Sequence, residues 1–328
     1  MKKITNLMFC LLLLTISLQA QKLEIIDTPD GKHGLKFDNG TILIPARYDD
    51  FHMFQENMAA VKRNNQWGFV DIRNGLEVIP LKYEDVGDFN EGLAVVALNG
   101  KWGFVDKTGK ELIVPKYDQA GDITGGAARV ILNGKWGYVD TMGKEIVQPK
   151  YEHADNFSEG MGTVQLNGKW GFVDKTGKEI VAPKYDNASK FRDGLMRVLA
   201  NGKHVFLDKS GKEVFVSKYA AAEDFVDGFA RVSENGKYGF LDKTGKELTA
   251  LKYDFADDFS EGLAVVGLGG KYGFIDKTGQ EVIPLQFDSV YPMDENAQLK
   301  HYGFYDGMIK VWQNGRGFYI DKTGKEVK

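Results

Sequence analysis

A twelve-residue phrase returns along this chain at nearly fixed spacing, and that return constrains the fold more than any other feature. One copy reads Gly100-Lys101-Trp102-Gly103-Phe104-Val105-Asp106-Lys107-Thr108-Gly109-Lys110-Glu111. Its aromatic slot falls at Trp67, Trp102, Trp136, Trp170, His204, Tyr238 and Tyr272, first 35 and then 34 residues apart. A degenerate first copy has His33 in that slot and the last has Gly317. The final gap of 45 residues is one period plus an 11-residue insertion around 294–304. Length alone would suggest roughly two domains, but a period of this size denotes stacked units, about eight or nine of them.

Alternation inside the unit predicts three strands, at 92–98, 101–106 and 110–117 in the quoted copy. Asn99-Gly100 fits a two-residue hairpin turn, whose two positive φ angles Asn and Gly tolerate best. Asp106-Lys107-Thr108-Gly109 fits a type I turn. About nine polar residues lead to the next unit, with room for a single helical turn. In the second strand Trp102, Phe104 and Asp106 share one face, and Lys101, Gly103 and Val105 the other. The Phe104 slot stays aromatic (Phe69, Tyr138, Phe172, Phe206, Phe240, Phe274, Tyr319) and the Val96 slot stays valine from Val61 to Val311. The neighbouring Val95 slot drifts through Ala60, Arg129, Thr163 and Arg197. Strict slots are therefore expected in the core and drifting ones at the surface.

A lone 34-residue unit offers four or five large apolar side chains, each contributing ~1.5–3 kcal/mol when buried. That does not offset its ordering entropy. Stacked units bury each other's faces, so the array is the folding unit. The expected fold is all-β: tandem three-stranded hairpin repeats in an open superhelical or solenoid-like array. The alternative is a closed, propeller-like ring, for which three strands in 34 residues is lean. Both ends read as complete units, with a first strand at 22–26 and all three last strands in 307–328.

The phrase Asn-Gly-Lys-Trp-Gly-Phe-Val-Asp-Lys-Thr-Gly-Lys-Glu-Ile, followed by Pro-Lys-Tyr, closely resembles the WG-repeat family, also called KWG repeats. The resemblance covers roughly residues 22–328 and departs from the pattern at His204-Val205, where the Trp-Gly pair is lost. The family is widespread in bacteria and has no established catalytic role, so the resemblance implies a binding or scaffold role. The aromatic hairpins are also partly similar to choline- and cell-wall-binding repeats.

Residues 1–20 read as an export signal. Lys2 and Lys3 precede an apolar run from Leu7 to Leu18, and the chain turns polar at Gln19-Ala20-Gln21. Cys10 lies inside the apolar run, which argues against a lipid-modified cysteine, and cleavage after Ala20 would remove the only cysteine. The exported chain is expected to have no disulfide and to be periplasmic, surface-associated or secreted. Without residues 1–20, 40 basic residues stand against 46 acidic ones, a net charge of −6. Mild acidity with interspersed signs argues against nucleic acid and anionic membranes as partners. No second apolar run is long enough to span a membrane.

The aromatic ladder is the main candidate for ligand contact. Trp67, Trp102, Trp136, Trp170, Tyr238 and Tyr272 would either stack on sugar rings or quaternary amines, or pack as core beside the Phe104 slot. The aspartates of the Asp106 slot fit turn initiation better than a carboxylate row. The recurrent Lys-Tyr pair, as at Lys116-Tyr117, fits a packed ring covered by a lysine stem. The five histidines lack metal-ligand spacing, and no nucleophile–base arrangement stands out. No catalytic residue, cofactor or metal is therefore expected. The insertion, with His301 and Tyr302, is either part of a binding face or an irregular cap. The expected function is a non-catalytic exported scaffold for a protein partner, with a carbohydrate or cell-wall ligand as the alternative.

Overall fold

The computed structural model describes residues 22–52, 54–291 and 302–327. The signal segment 1–20, His301 and most of the insertion lie outside the described residues. Nine antiparallel sheets follow one another along the chain, and no helix occurs among the described residues. In the third sheet the long strands are Leu93–Leu98, Lys101–Asp106 and Glu111–Tyr117. Asn99 and Gly100 take φ of 53° and 68° in the turn between the first two, as their sequence requires. A fourth, two-residue strand leads each sheet from the second to the eighth, as Asp85–Val86 does here. In the seventh sheet this lead strand lengthens to Ala221–Val226.

That lead strand replaces the helical turn for which the sequence left room. The polar linker runs extended and pairs with the first long strand, Asp85 with Ala97 and Val86 with Val96. The ends also differ from expectation. The first sheet has three strands and no lead strand. The ninth has a lead strand and two long ones, and only the Ile320–Glu326 bridge marks its third.

Eight hydrophobic clusters join these nine sheets, each cluster drawing on two consecutive sheets. An open row of nine has eight junctions; a closed ring would have nine. Among the described residues the array is therefore open. Each junction sets the aromatic face of one sheet on the small, β-branched face of the next. Phe104, Ile113 and Tyr117 of the third sheet meet Ala128, Val130 and Val139 of the fourth.

The Val95 slot corrects the sequence reading. Ala60, Val95 and Thr163 are buried there, and its arginines are half-buried. Both faces of an interior sheet are covered by neighbours, so drift in this slot reflects matched partners across a junction rather than solvent. Arg197 pairs with Asp224 of the next unit at 3.0 Å, and Arg231 with Asp257 at 2.7 Å.

The glycine of each Trp-Gly pair faces a bulge in the third long strand. Trp102 pairs with Tyr117 and Phe104 with Ile113, so two steps on one strand span four on the other. A Cβ on Gly103 would lie 2.7 Å from the Pro115 nitrogen and closer still to the Ile113 carbonyl oxygen. The sixth unit shows what happens without this glycine. Val205 pairs directly with Val216 and Phe206 with Phe215, and the strand stops at Val216.

The Lys-Tyr pair that closes the third long strand reaches the next unit, and does so in the sixth unit too, where Tyr219 and Lys218 bond Glu247 without the bulge. The Tyr151 hydroxyl donates to Glu179 at 2.6 Å and Lys150 Nζ lies 2.7 Å from the same carboxylate. The same trio recurs at Tyr83, Lys82 and Glu111, and at Tyr117, Lys116 and Glu145. Each lysine also sits over its own tyrosine ring, at 4.9 Å for Lys150. Hydrogen bonds from Lys82, Lys116 and Lys150, then from the tyrosines, hold Glu111, Glu145 and Glu179 below the usual carboxylate range. A lowered folded pKa contributes stability above the unfolded value of about 4.3 and loses it as pH falls through the folded value. Replacing all three glutamates by glutamine should thus lower the urea midpoint at neutral pH and change it little near pH 3. Equal losses at both pH values would refute these latches as charged devices.

Candidate functional site

The lead edge of the array gathers the aromatic ladder. Each lead strand pairs with the first long strand, so its first residue lies close to the ring of the second. His153 of the fifth unit lies between Trp136 of the fourth, at 5.2 Å, and Trp170 of its own, at 5.5 Å. His52 meets Trp67 at 4.4 Å and Phe255 meets Tyr272 at 5.5 Å. Trp67 is buried, 5% exposed. Trp102, Trp136, Trp170, Tyr238 and Tyr272 are half-buried, each with its ring in the crevice between units.

These crevices form small clefts. One of about 150 Å³ is lined by Gln119, Ala120, Arg129 and Trp136. Another of about 230 Å³ is lined by Glu223, Arg231, Tyr238 and Phe255. Arg129 lies 5.3 Å from the Trp136 ring centre and donates to the Ala154 carbonyl at 3.3 Å. Its Nε is buried with no hydrogen-bond partner among the described residues. Burial, then the Arg197 guanidinium, lowers the pKa of His204.

The other sequence candidates separate. Tyr302 is half-buried, packs on Phe255 at 5.4 Å and donates its backbone N–H to Asp257 at 2.6 Å. Phe304 is buried against Phe274. The end of the insertion thus joins the last junction, while His301 falls outside the described residues. The turn aspartates are occupied by their own turns: Asp106 Oδ1 accepts the Thr108 N–H at 2.8 Å, its hydroxyl at 2.6 Å and the Lys110 N–H at 3.1 Å. Among the described residues, no three His, Cys, Asp or Glu side chains gather as a metal-ligand set. No described helix is long and apolar enough to cross a membrane.

Sequence reasoning missed the lead-strand residues. At their first position the series runs Asp50, Asp85, Gln119, His153, Asn187, Ala221, Phe255, Ser289. The available signal was their variability inside an otherwise strict repeat, in a segment read only as linker.

Fold and edge together define a tandem β-repeat scaffold, whose repeated rings are framing and whose variable positions line one edge. The chain belongs to the WG-repeat family. The family's pattern, a WG containing repeat, matches residues 38–67, 67–102, 102–136, 136–170, 170–203, 206–238, 238–272 and 272–297. Each interior match runs from one aromatic slot to the next, and so spans a junction between sheets. No curated protein matches the sequence. A solved eukaryotic initiation factor is similar over 94% of this chain and 98% of its own, at 10% identity and TM-score 0.40. Hsv2p of Kluyveromyces lactis is similar over 80% of this chain and 97% of its own, at 8% identity and TM-score 0.35. PorZ, a surface component of the type-IX secretion system of Porphyromonas gingivalis, is similar over 92% of this chain and 51% of its own, at 10% identity and TM-score 0.27. Likenesses this distant leave the function open.

Proposed function

We propose that this chain is an exported, non-catalytic scaffold that binds a protein partner along its lead edge. One observation carries the reading. The slots that recur from unit to unit are consumed by junctions and turns, whereas the first lead-edge position changes from unit to unit, with only Asp50 and Asp85 alike. A surface that varies over a fixed frame suits recognition of an extended partner. The segment 1–20 supports export. Replacing Arg129 and His153 together by alanine should abolish capture of the partner by the mature chain while it still unfolds in one cooperative transition. Retained capture would contradict a lead-edge site.

A second reading, a glycan ligand, is favoured by the Trp136–His153–Trp170 run, in which two half-buried indoles flank an imidazole. It requires that cell-wall glycans shift tryptophan emission and protect it from acrylamide. Unchanged emission across a glycan series would remove it.

A further inference from the structure

The third long strand is the free edge of every sheet from the first to the eighth. Free strand edges are templates for another strand, and proteins block them with prolines and bulges. Here Pro45, Pro80, Pro115, Pro149, Pro183 and Pro284 lie in that strand in six of these units. Each of the six also carries the bulge opposite its glycine. The seventh unit lacks the proline but keeps the bulge. The sixth lacks both the proline and the bulge opposite the Trp-Gly position, and keeps only the irregularity between Phe206 and Leu207.

Without Gly, Val205 leaves no room for the bulge opposite it and pairs directly with Val216, while the irregularity between Phe206 and Leu207 stays as in the other units. Ser217 follows where other units hold proline, leucine or alanine. Val214 and Val216 are 39% and 47% exposed. Beside the strand end lies a cleft of about 410 Å³, lined by Val216, Ser217, Tyr219, Leu241 and Gly245. Exposed Lys212 and Lys218 bracket the strand.

We propose that Glu213–Val216 is a strand-addition site that takes an extended segment of a partner protein as an extra strand of the sixth sheet. Main-chain hydrogen bonds supply the attachment, and alternate side chains supply selectivity. The segment has alternating β-branched residues, which pack across from Val214 and Val216. An acidic flank faces Lys212, since Lys218 is paired with Glu247, and a bulky apolar residue at the other end fills the cleft. The site rests on the protein-binding reading but uses a different edge from the lead strands.

The test is a labelled peptide, acetyl-Glu-Thr-Val-Thr-Val-Phe-Glu-amide, titrated into the mature chain with hydrogen exchange read in parallel. Saturable binding is expected, with slowed exchange confined to the sixth sheet around 213–216. Val214→Lys should weaken it about tenfold or more, through lost apolar packing across from the added strand. The double change Val205→Gly with Ser217→Pro restores the family pattern, and should close the edge with an unaltered melting temperature. A peptide with proline for its central valine should not bind. No binding, protection elsewhere, or affinity unmoved by Val214→Lys would overturn the site. A chain that captures a protein through its lead edge but ignores the peptide would sink this site and spare the scaffold; peptide binding with no lead-edge capture would do the reverse.

Discussion

Replacing Gly103 by valine is expected to destabilise the array by about 2–3 kcal/mol, the upper range for forcing atoms into a packed site. The new Cβ would sit 2.7 Å from the Pro115 nitrogen, with the Ile113 carbonyl nearer still. Neither is a flexible side-chain tip that can swing aside. The strand must instead give up its bulge, as the sixth unit has done around Val205. Two losses follow from that single event. Tyr117, fully buried, no longer reaches its place opposite Trp102. The edge of the third sheet loses the bulge that blocks it. Chemical denaturation reads the first and hydrogen exchange at 111–117 the second. An unchanged midpoint would refute the close-approach account of the Trp-Gly pair.

Most of the unit was legible because it is written in local chemistry. Asn99-Gly100 and Asp106 to Gly109 specify their turns by φ preference and side-chain bonding, and the long strands fall within a residue of expectation. The lead strand was not legible. Two residues such as Asp85 and Val86 carry no periodicity, and they become a strand only because the next unit's first long strand offers an edge. The Val95 slot misled for a related reason: variability signals solvent in a sheet with one open face, and these sheets have none. Arg197 and Arg231 are placed by carboxylates 26 or 27 residues away, across a junction that one unit's sequence does not contain. The ladder was visible as a series of rings. Its position beside the lead strands, with His153 between two indoles, depends on how one unit lies on the next.

The departures from the repeat carry as much information as the repeat. His204-Val205 reads as a departure from the pattern, and in the structure it removes one bulge, pairs Val205 directly with Val216 and ends the third strand there. Its neighbours pack normally around it, as nearest-neighbour coupling in a linear array allows.

Removing residues 135–168, one full period from the second strand of the fourth unit to the turn of the fifth, tests the central claim most directly. The cut rejoins Gly134 to Lys169, so every surviving junction still sets an aromatic face on a β-branched one. If consecutive units bury each other in an open row, the shortened chain should fold cooperatively, with a denaturant slope lower by roughly a ninth, in line with the surface lost. A chain that cannot fold after this deletion, or that comes apart into pieces unrelated to the 34-residue period, would contradict the account.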